Sequence, residues 1–150
     1  MPEQNKYHIL LVEDNPGDVR LTQEFIKDNP LLDTFSAVPD GEQAMKYLRC
    51  EPPYADATIP NLIILDLNLP KKNGFEVLEE IKTDAHLKHI PVIVLTSSES
   101  DVDILKCYDL YANCYISKPV DYEVFVRQFS MLLDFWCRVA HIPVNRPKLD

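Results

Sequence analysis

Short apolar runs that each break off into polar, mostly charged residues recur along this chain. His8-Ile9-Leu10-Leu11-Val12 stops at Glu13-Asp14, Leu62-Ile63-Ile64-Leu65 at Asp66, and Val92-Ile93-Val94-Leu95 at Thr96-Ser97; the run from Ala112 to Ile116 stops at Ser117-Lys118-Pro119. A weaker strand is expected from Thr34 to Val38. Between these runs, apolar residues recur at spacings of three and four, the period of a helix with one buried face. Leu21, Phe25 and Ile26 mark one such stretch, Ala44, Met45 and Leu48 a second, and Phe75, Val77, Leu78 and Ile81 a third. Val124, Phe125, Phe129, Leu132, Leu133, Trp136 and Ala140 form the longest. Short apolar strands alternating with helices build a parallel sheet covered on both faces. The expected fold is α/β, a doubly wound five-stranded parallel sheet in a single domain, 1–150, with its core at about 6–140 and a C-terminal tail at 141–150.

Local signals mark the element ends. Asn15 is a good N-cap and Pro16 a good first helical residue, with Asn29-Pro30 closing that helix. Asp40-Gly41 turns the chain into the second helix, and Glu51 to Asn61, with Pro52, Pro53 and Pro60, reads as a loop. Gly74 ends the turn after Asp66, where a positive φ is expected. Ser100-x-x-Asp103 resembles a capping motif for a helix to about Asp109, and Pro143 and Pro147 end the last helix.

Composition narrows the class. A 46% hydrophobic, 26% charged chain is that of a soluble globule, and no apolar run is long enough for a transmembrane helix. The polar start, Met1 to Lys6, lacks the order of a signal peptide, so a cytoplasmic protein is expected. A net charge of −9 with no cluster of Lys and Arg argues against nucleic acid. Cys50, Cys107, Cys114 and Cys137 lack metal or redox spacing and read as small hydrophobes.

In an open parallel sheet the C-terminal strand ends share one edge, where ligands of such sheets bind. Glu13, Asp14, Asp66, Thr96 and Lys118 therefore converge there. Taken singly, each has an ordinary explanation, such as an acid favouring a helix N-terminus or a solvated lysine. Together, in strand order, they point to a divalent cation and a phosphoryl group. Crowded carboxylates raise one another's pKa unless a cation is present, and Mg²⁺ takes oxygen ligands from one or two carboxylates plus phosphate. Asp66 is then an oxygen nucleophile that can form an aspartyl phosphate, with Lys118 and Thr96 on the phosphoryl oxygens.

From about Lys6 to Ala140 the chain resembles the receiver domain of two-component response regulators. The matching motifs are Leu-Val-Glu-Asp at 11–14, Ile-Leu-Asp-Leu-Asn-Leu-Pro at 64–70, Gly74, Val-Leu-Thr-Ser at 94–97 and Ser-Lys-Pro at 117–119. The resemblance implies a flavodoxin-like (CheY-like) fold and phosphorylation of Asp66 by a sensor histidine kinase. It implies Mg²⁺ held by Asp14, Asp66 and the backbone carbonyl of Asn68, with Glu13 acting through water. It also implies a cis Lys118–Pro119 bond and a switch pair of Thr96 and Tyr115. The loop at 68–74, Asn113-Cys114-Tyr115-Ile116 and Phe135-Trp136 resemble the single-domain regulators paired with phytochromes of cyanobacterial type.

The function expected is a phosphoacceptor signalling module, not an enzyme beyond loss of its own phosphoryl group, with Asn68 and Ser98 influencing that rate. With 32 residues after Lys118, output is expected through binding: to a partner, a downstream phosphotransfer protein or a second copy. A homodimer is expected through the fourth helix, fifth strand and fifth helix, where Tyr108, Tyr111, Tyr115, Tyr122, Phe125, Phe129, Phe135 and Trp136 gather. The competing enzyme reading is a phosphohydrolase of the haloacid-dehalogenase type. It wants an acid two positions after the nucleophile, where this chain has Asn68. A constitutive scaffold is disfavoured by the complete pocket.

Overall fold

The computed structural model describes residues 7–143. Strands and helices alternate along it: β1 (Tyr7–Val12), α1 (Pro16–Ile26), β2 (Leu32–Val38), α2 (Gly41–Leu48), β3 (Leu62–Leu65), α3 (Gly74–Thr83), β4 (Val92–Thr96), α4 (Asp101–Asp109), β5 (Cys114–Ser117) and α5 (Tyr122–Asp134). The strands form one parallel sheet in the order β2-β1-β3-β4-β5. The order reverses between β1 and β3, so the crevice of this doubly wound sheet opens beyond the ends of those two strands.

Period-two alternation divides each strand between two cores. Leu10, Val12, Ile63, Leu65, Val92 and Val94 pack on one side with Met45, Val77, Leu78 and Ile81, from α2 and α3. Ile9, Leu11, Leu62, Ile64, Ile93 and Leu95 pack on the other with Ile26 of α1 and Phe125, Phe129, Leu132 and Leu133 of α5. Phe125, Phe129 and Leu132 are thus spent on covering the sheet, while Phe135 stays half exposed.

Helix starts follow the expected chemistry. The side chains of Asn15, Asp40, Asn73, Ser100 and Asp121 each accept backbone N–H groups of the helix that follows. Two ends differ. The first helix stops at Ile26 rather than Asn29. The last one loosens into a π-helical turn, Phe135–Val139, in which the Ala140 N–H donates to the Phe135 carbonyl at 2.7 Å. The ends of the chain, 1–6 and 144–150, lie outside the described residues, and with them the polar start, Pro147 and most of the tail. No helix among the described residues is long and apolar enough to cross a membrane.

Gly74 corrects an expectation. No glycine has a positive φ; Lys71 does, at 66°. Gly74 is instead the first residue of α3 and is needed for closeness, since a Cβ there would sit 2.4 Å from the Asp66 carbonyl oxygen and 2.5 Å from the Leu67 Cα.

At the other end of the sheet, His8 is buried and satisfied. Its ring nitrogens meet the Thr34 hydroxyl and, at 2.6 Å, the Tyr47 hydroxyl, which also reaches Ser36 and the Thr58 carbonyl. Burial holds its pKa below the ordinary 6.5. The unfolded chain therefore binds this proton first as pH falls. The stability linked to His8 is full above about pH 6.5 and declines below it. Urea unfolding of wild type should show a loss between pH 6.5 and 5.5 of up to about 1 kcal/mol more than His8→Phe shows, one proton per pH unit being the ceiling. Parallel curves for the two proteins would exclude this contribution.

Candidate phosphoacceptor and metal site

The crevice beyond β1 and β3 collects the acidic residues. β1 ends at Val12 and delivers Glu13, which is buried, and Asp14, which is exposed; β3 ends at Leu65 and delivers Asp66, also buried. Carboxylate oxygens of Glu13, Asp14 and Asp66 all lie within 4.8 Å of one another. An all-oxygen set of this spacing suits a hard divalent cation such as Mg²⁺ or Mn²⁺ and is repulsive without positive charge.

Lys118, just past β5, supplies such charge. Its backbone N–H donates to the Thr96 carbonyl at 2.7 Å, fixing it beside β4. Its ammonium bonds Glu13 Oε1, Asp66 Oδ2 at 3.1 Å and Asp18 Oδ2 at 3.1 Å. Burial alone would lower the Lys118 pKa; the carboxylates, Glu13 foremost, overcome it and raise it. Burial pushes the Glu13 carboxyl up against the pull of Lys118. Burial also pushes Asp66 up, but there the Lys118 ammonium foremost, then hydrogen bonding from Glu13, the Thr96 hydroxyl and the Asn68 N–H, outweigh it, and the carboxyl lies below its usual range. Asp66 is thus kept ionised, as an oxygen nucleophile must be.

The remaining expected residues take less uniform places. Asn68 is exposed, and its N–H donates to Asp66 Oδ1 at 3.2 Å. Thr96 is fully buried, and its hydroxyl lies near enough to Asp66 to help hold that carboxyl down, short of a full hydrogen bond. The Tyr115 hydroxyl donates to the Ser98 carbonyl at 2.9 Å, as does that of Ser117 at 3.1 Å. The Ser98 hydroxyl donates to Asp103 Oδ2 at 2.7 Å. The Lys118–Pro119 bond is not cis; the cis bond among the described residues is Pro52–Pro53. The pairing of Lys118 with the Thr96 carbonyl and the reach of its long side chain suffice to carry the ammonium to the carboxylates. Asp18 was not anticipated: within α1 it reads as an ordinary first-turn acid, and only the fold brings it to a lysine 100 positions away.

The response regulator receiver domain model matches residues 9–129. The chain belongs to the response regulator receiver family. It is 42% identical over 135 residues to the response regulator Rcp1 of a Synechocystis species, covering 90% of this chain and 92% of that one. The crystal structure of the phosphorylated cyanobacterial phytochrome response regulator RcpA is similar at a TM-score of 0.89 and 46% identity, over 93% of this chain and 99% of that chain. The Mn²⁺-bound form of Rcp1 is similar at 0.86 and 41%, over 92% and 99%. Receiver domains are phosphoacceptors of two-component systems that signal rather than catalyse, and histidine kinases are their partners. They hold Mg²⁺ or Mn²⁺ in an acidic pocket, and the carboxylate set found here fits such an ion. The phosphohydrolase reading has no support.

Because the Gly74 site meets backbone rather than flexible side chains, Gly74→Ala should move the Asp66–Leu67 segment. It should cost about 1–3 kcal/mol in urea unfolding, the range for overpacked sites, and weaken Mg²⁺ binding measured calorimetrically. Unchanged stability and affinity would show that the segment yields freely.

Proposed function

We propose that Asp66 is the residue that receives the phosphoryl group. One observation carries this: Asp66 is a buried carboxylate at the sheet's reversal point, held ionised by the Lys118 ammonium at 3.1 Å and flanked by the Glu13 and Asp14 carboxylates. Asp14, Asp66 and the Asn68 carbonyl would hold Mg²⁺, with Glu13 acting through water. The bound ion would offset charge on the phosphoryl oxygens. Lys118 donates to those oxygens, and the buried Thr96 hydroxyl, which makes no full hydrogen bond, gains one there. Thr96 and Tyr115 then act as the switch pair. Loss of the phosphoryl group by water attack is an intrinsic property of the domain, with Asn68 and Ser98 tuning its rate.

The kinase is a phytochrome, a reading supported by the likeness to RcpA and Rcp1 and by the 68–74 loop and the 113–116 segment. The protein works in the cytoplasm as one receiver unit, 1–150, with its core at about 6–140 and a tail at 141–150, and it can pass phosphate to a phosphotransfer protein. In the presence of Mg²⁺, acetyl phosphate should label wild type once per chain and leave Asp66→Asn unlabelled but folded. Labelling that survives Asp66→Asn, or that proceeds fully in EDTA, would overturn the site. Phosphotransfer from a phytochrome kinase of the same organism that responds to red and far-red light tests the pairing.

A second copy is the proposed partner of the α4-β5-α5 face. Val102, Leu105 and Tyr111 on and just after α4, and Tyr122, Met131 and Phe135 on and just after α5, are all more than half exposed. This apolar surface is wider than covering the sheet requires, and a twofold pair would bury the same patch on each copy. Sedimentation at micromolar concentration should show a dimer that Phe135→Glu weakens at least about tenfold, the scale of a charge forced into an apolar contact. A monomer in both phosphorylation states would rule it out.

A further inference from the structure

The ammonium of Lys118 has three N–H donors, and three carboxylates face it: those of Glu13, Asp18 and Asp66. Glu13 and Asp66 belong to the acidic cluster at the strand ends; Asp18 does not. Asp18 stands in the first turn of α1, with its N–H donating to the Asn15 side chain and its carbonyl accepting the Thr22 hydroxyl. Its place at the mouth of the pocket is therefore fixed by the helix. Its side chain is 42% exposed, against 3% for Glu13 and 8% for Asp66.

We propose that Asp18 is a positioning residue that competes with an incoming phosphoryl group for the Lys118 ammonium, and so sets how readily the pocket accepts one. The inference rests on the reading of Asp66 as acceptor. A phosphoryl oxygen needs a donor from an ammonium whose donors are already engaged, so one carboxylate must yield. Glu13 and Asp66 are buried, and a carboxylate left there without its partner is costly. Asp18 is half in water, which replaces the lost bond, so Asp18 is the partner that lets go. The ordinary role of an acid in a first helical turn is to favour the helix N-terminus. That role stabilises α1 but does not act through Lys118.

Titration with acetyl phosphate in saturating Mg²⁺ separates the two roles. Asp18→Asn should lower the donor concentration for half-maximal labelling by about two- to fivefold, the range sustained by a half-exposed ion pair, with the maximal extent unchanged. Binding of fluoroberyllate, a phosphoryl mimic that forms no labelled product, should tighten by a similar factor. Asp18→Glu should return both values toward wild type. In a Lys118→Ala background, Asp18→Asn should change neither, because the competition acts through the lysine. Unchanged or weaker uptake in Asp18→Asn overturns the inference. So does a gain that persists without Lys118, which would be charge repulsion alone. Labelling that survives Asp66→Asn would instead remove the reading of Asp66 on which the inference stands.

Discussion

One ammonium holds together a pocket that would otherwise repel itself. Three carboxylates, those of Glu13, Asp18 and Asp66, bond a single lysine, Lys118, and a fourth, that of Asp14, crowds Glu13 and Asp66 within 4.8 Å. When all are ionised, four negative charges against one positive leave three uncompensated. Such an excess in a half-buried crevice is unfavourable for the fold and favourable for a divalent cation. The same imbalance that costs stability therefore creates the affinity. A doubly charged ion would still leave the pocket short of positive charge when a phosphoryl group arrives. This is why the disposition of Lys118 governs the chemistry proposed for Asp66.

That charge arrangement depends on close packing behind it. The loop after Asp66 runs over two glycines with no room for a Cβ: Gly74, against the Asp66 carbonyl, and Gly41 at the start of α2, whose Cβ would lie 1.9 Å from the Lys72 carbonyl oxygen. Lys71 takes a left-handed φ and approaches Asp40 at 3.7 Å, while Lys72 pairs with Glu80 of α3, which also meets Arg49 at 3.7 Å. The exposed pairs are weak individually. Their combined effect is to fasten the loop to α2 and α3, so that the Asn68 N–H can reach back to Asp66.

How much of this the sequence disclosed follows from where each signal lies. Strand ends in a parallel sheet share an edge, so Glu13, Asp14, Asp66, Thr96 and Lys118 could be gathered from their position after apolar runs alone. Asp18 could not, because a contact between a helix and a strand end 100 residues apart leaves no local pattern. The same holds for His8, whose partners Thr34 and Tyr47 come from β2 and α2. Gly74 was legible as a required glycine but for the wrong reason, since close approach and positive φ write the same residue. The π-helical turn at Phe135–Val139 was hidden because apolar spacings of three and four read as α-helix to Ala140. The cis bond implied for Lys118–Pro119 came from the resemblance and is not present.

The hydrogen bonding of the pocket leaves one buried group weakly paired. Apart from one Glu80 oxygen that has Arg49 at 3.7 Å, Thr96 holds the one buried side-chain polar atom among the described residues that makes no full hydrogen bond, although it acts on the Asp66 carboxyl. A buried hydroxyl so weakly paired is less stable than a fully bonded one, and a phosphoryl oxygen on Asp66 would complete its pairing. The chain beyond Thr96 is tied on both sides: the Ser98 carbonyl accepts from the hydroxyls of Tyr115 and Ser117 of β5, and the Ser98 hydroxyl donates to Asp103 of α4. In the proposed switch, a shift of Thr96 toward the phosphoryl group would draw on β5 and α4 through these Ser98 bonds. Those elements carry the exposed Val102, Leu105 and Tyr111 surface proposed to meet a second copy. The Thr96 hydroxyl is thus the proposed link between an event at Asp66 and that face.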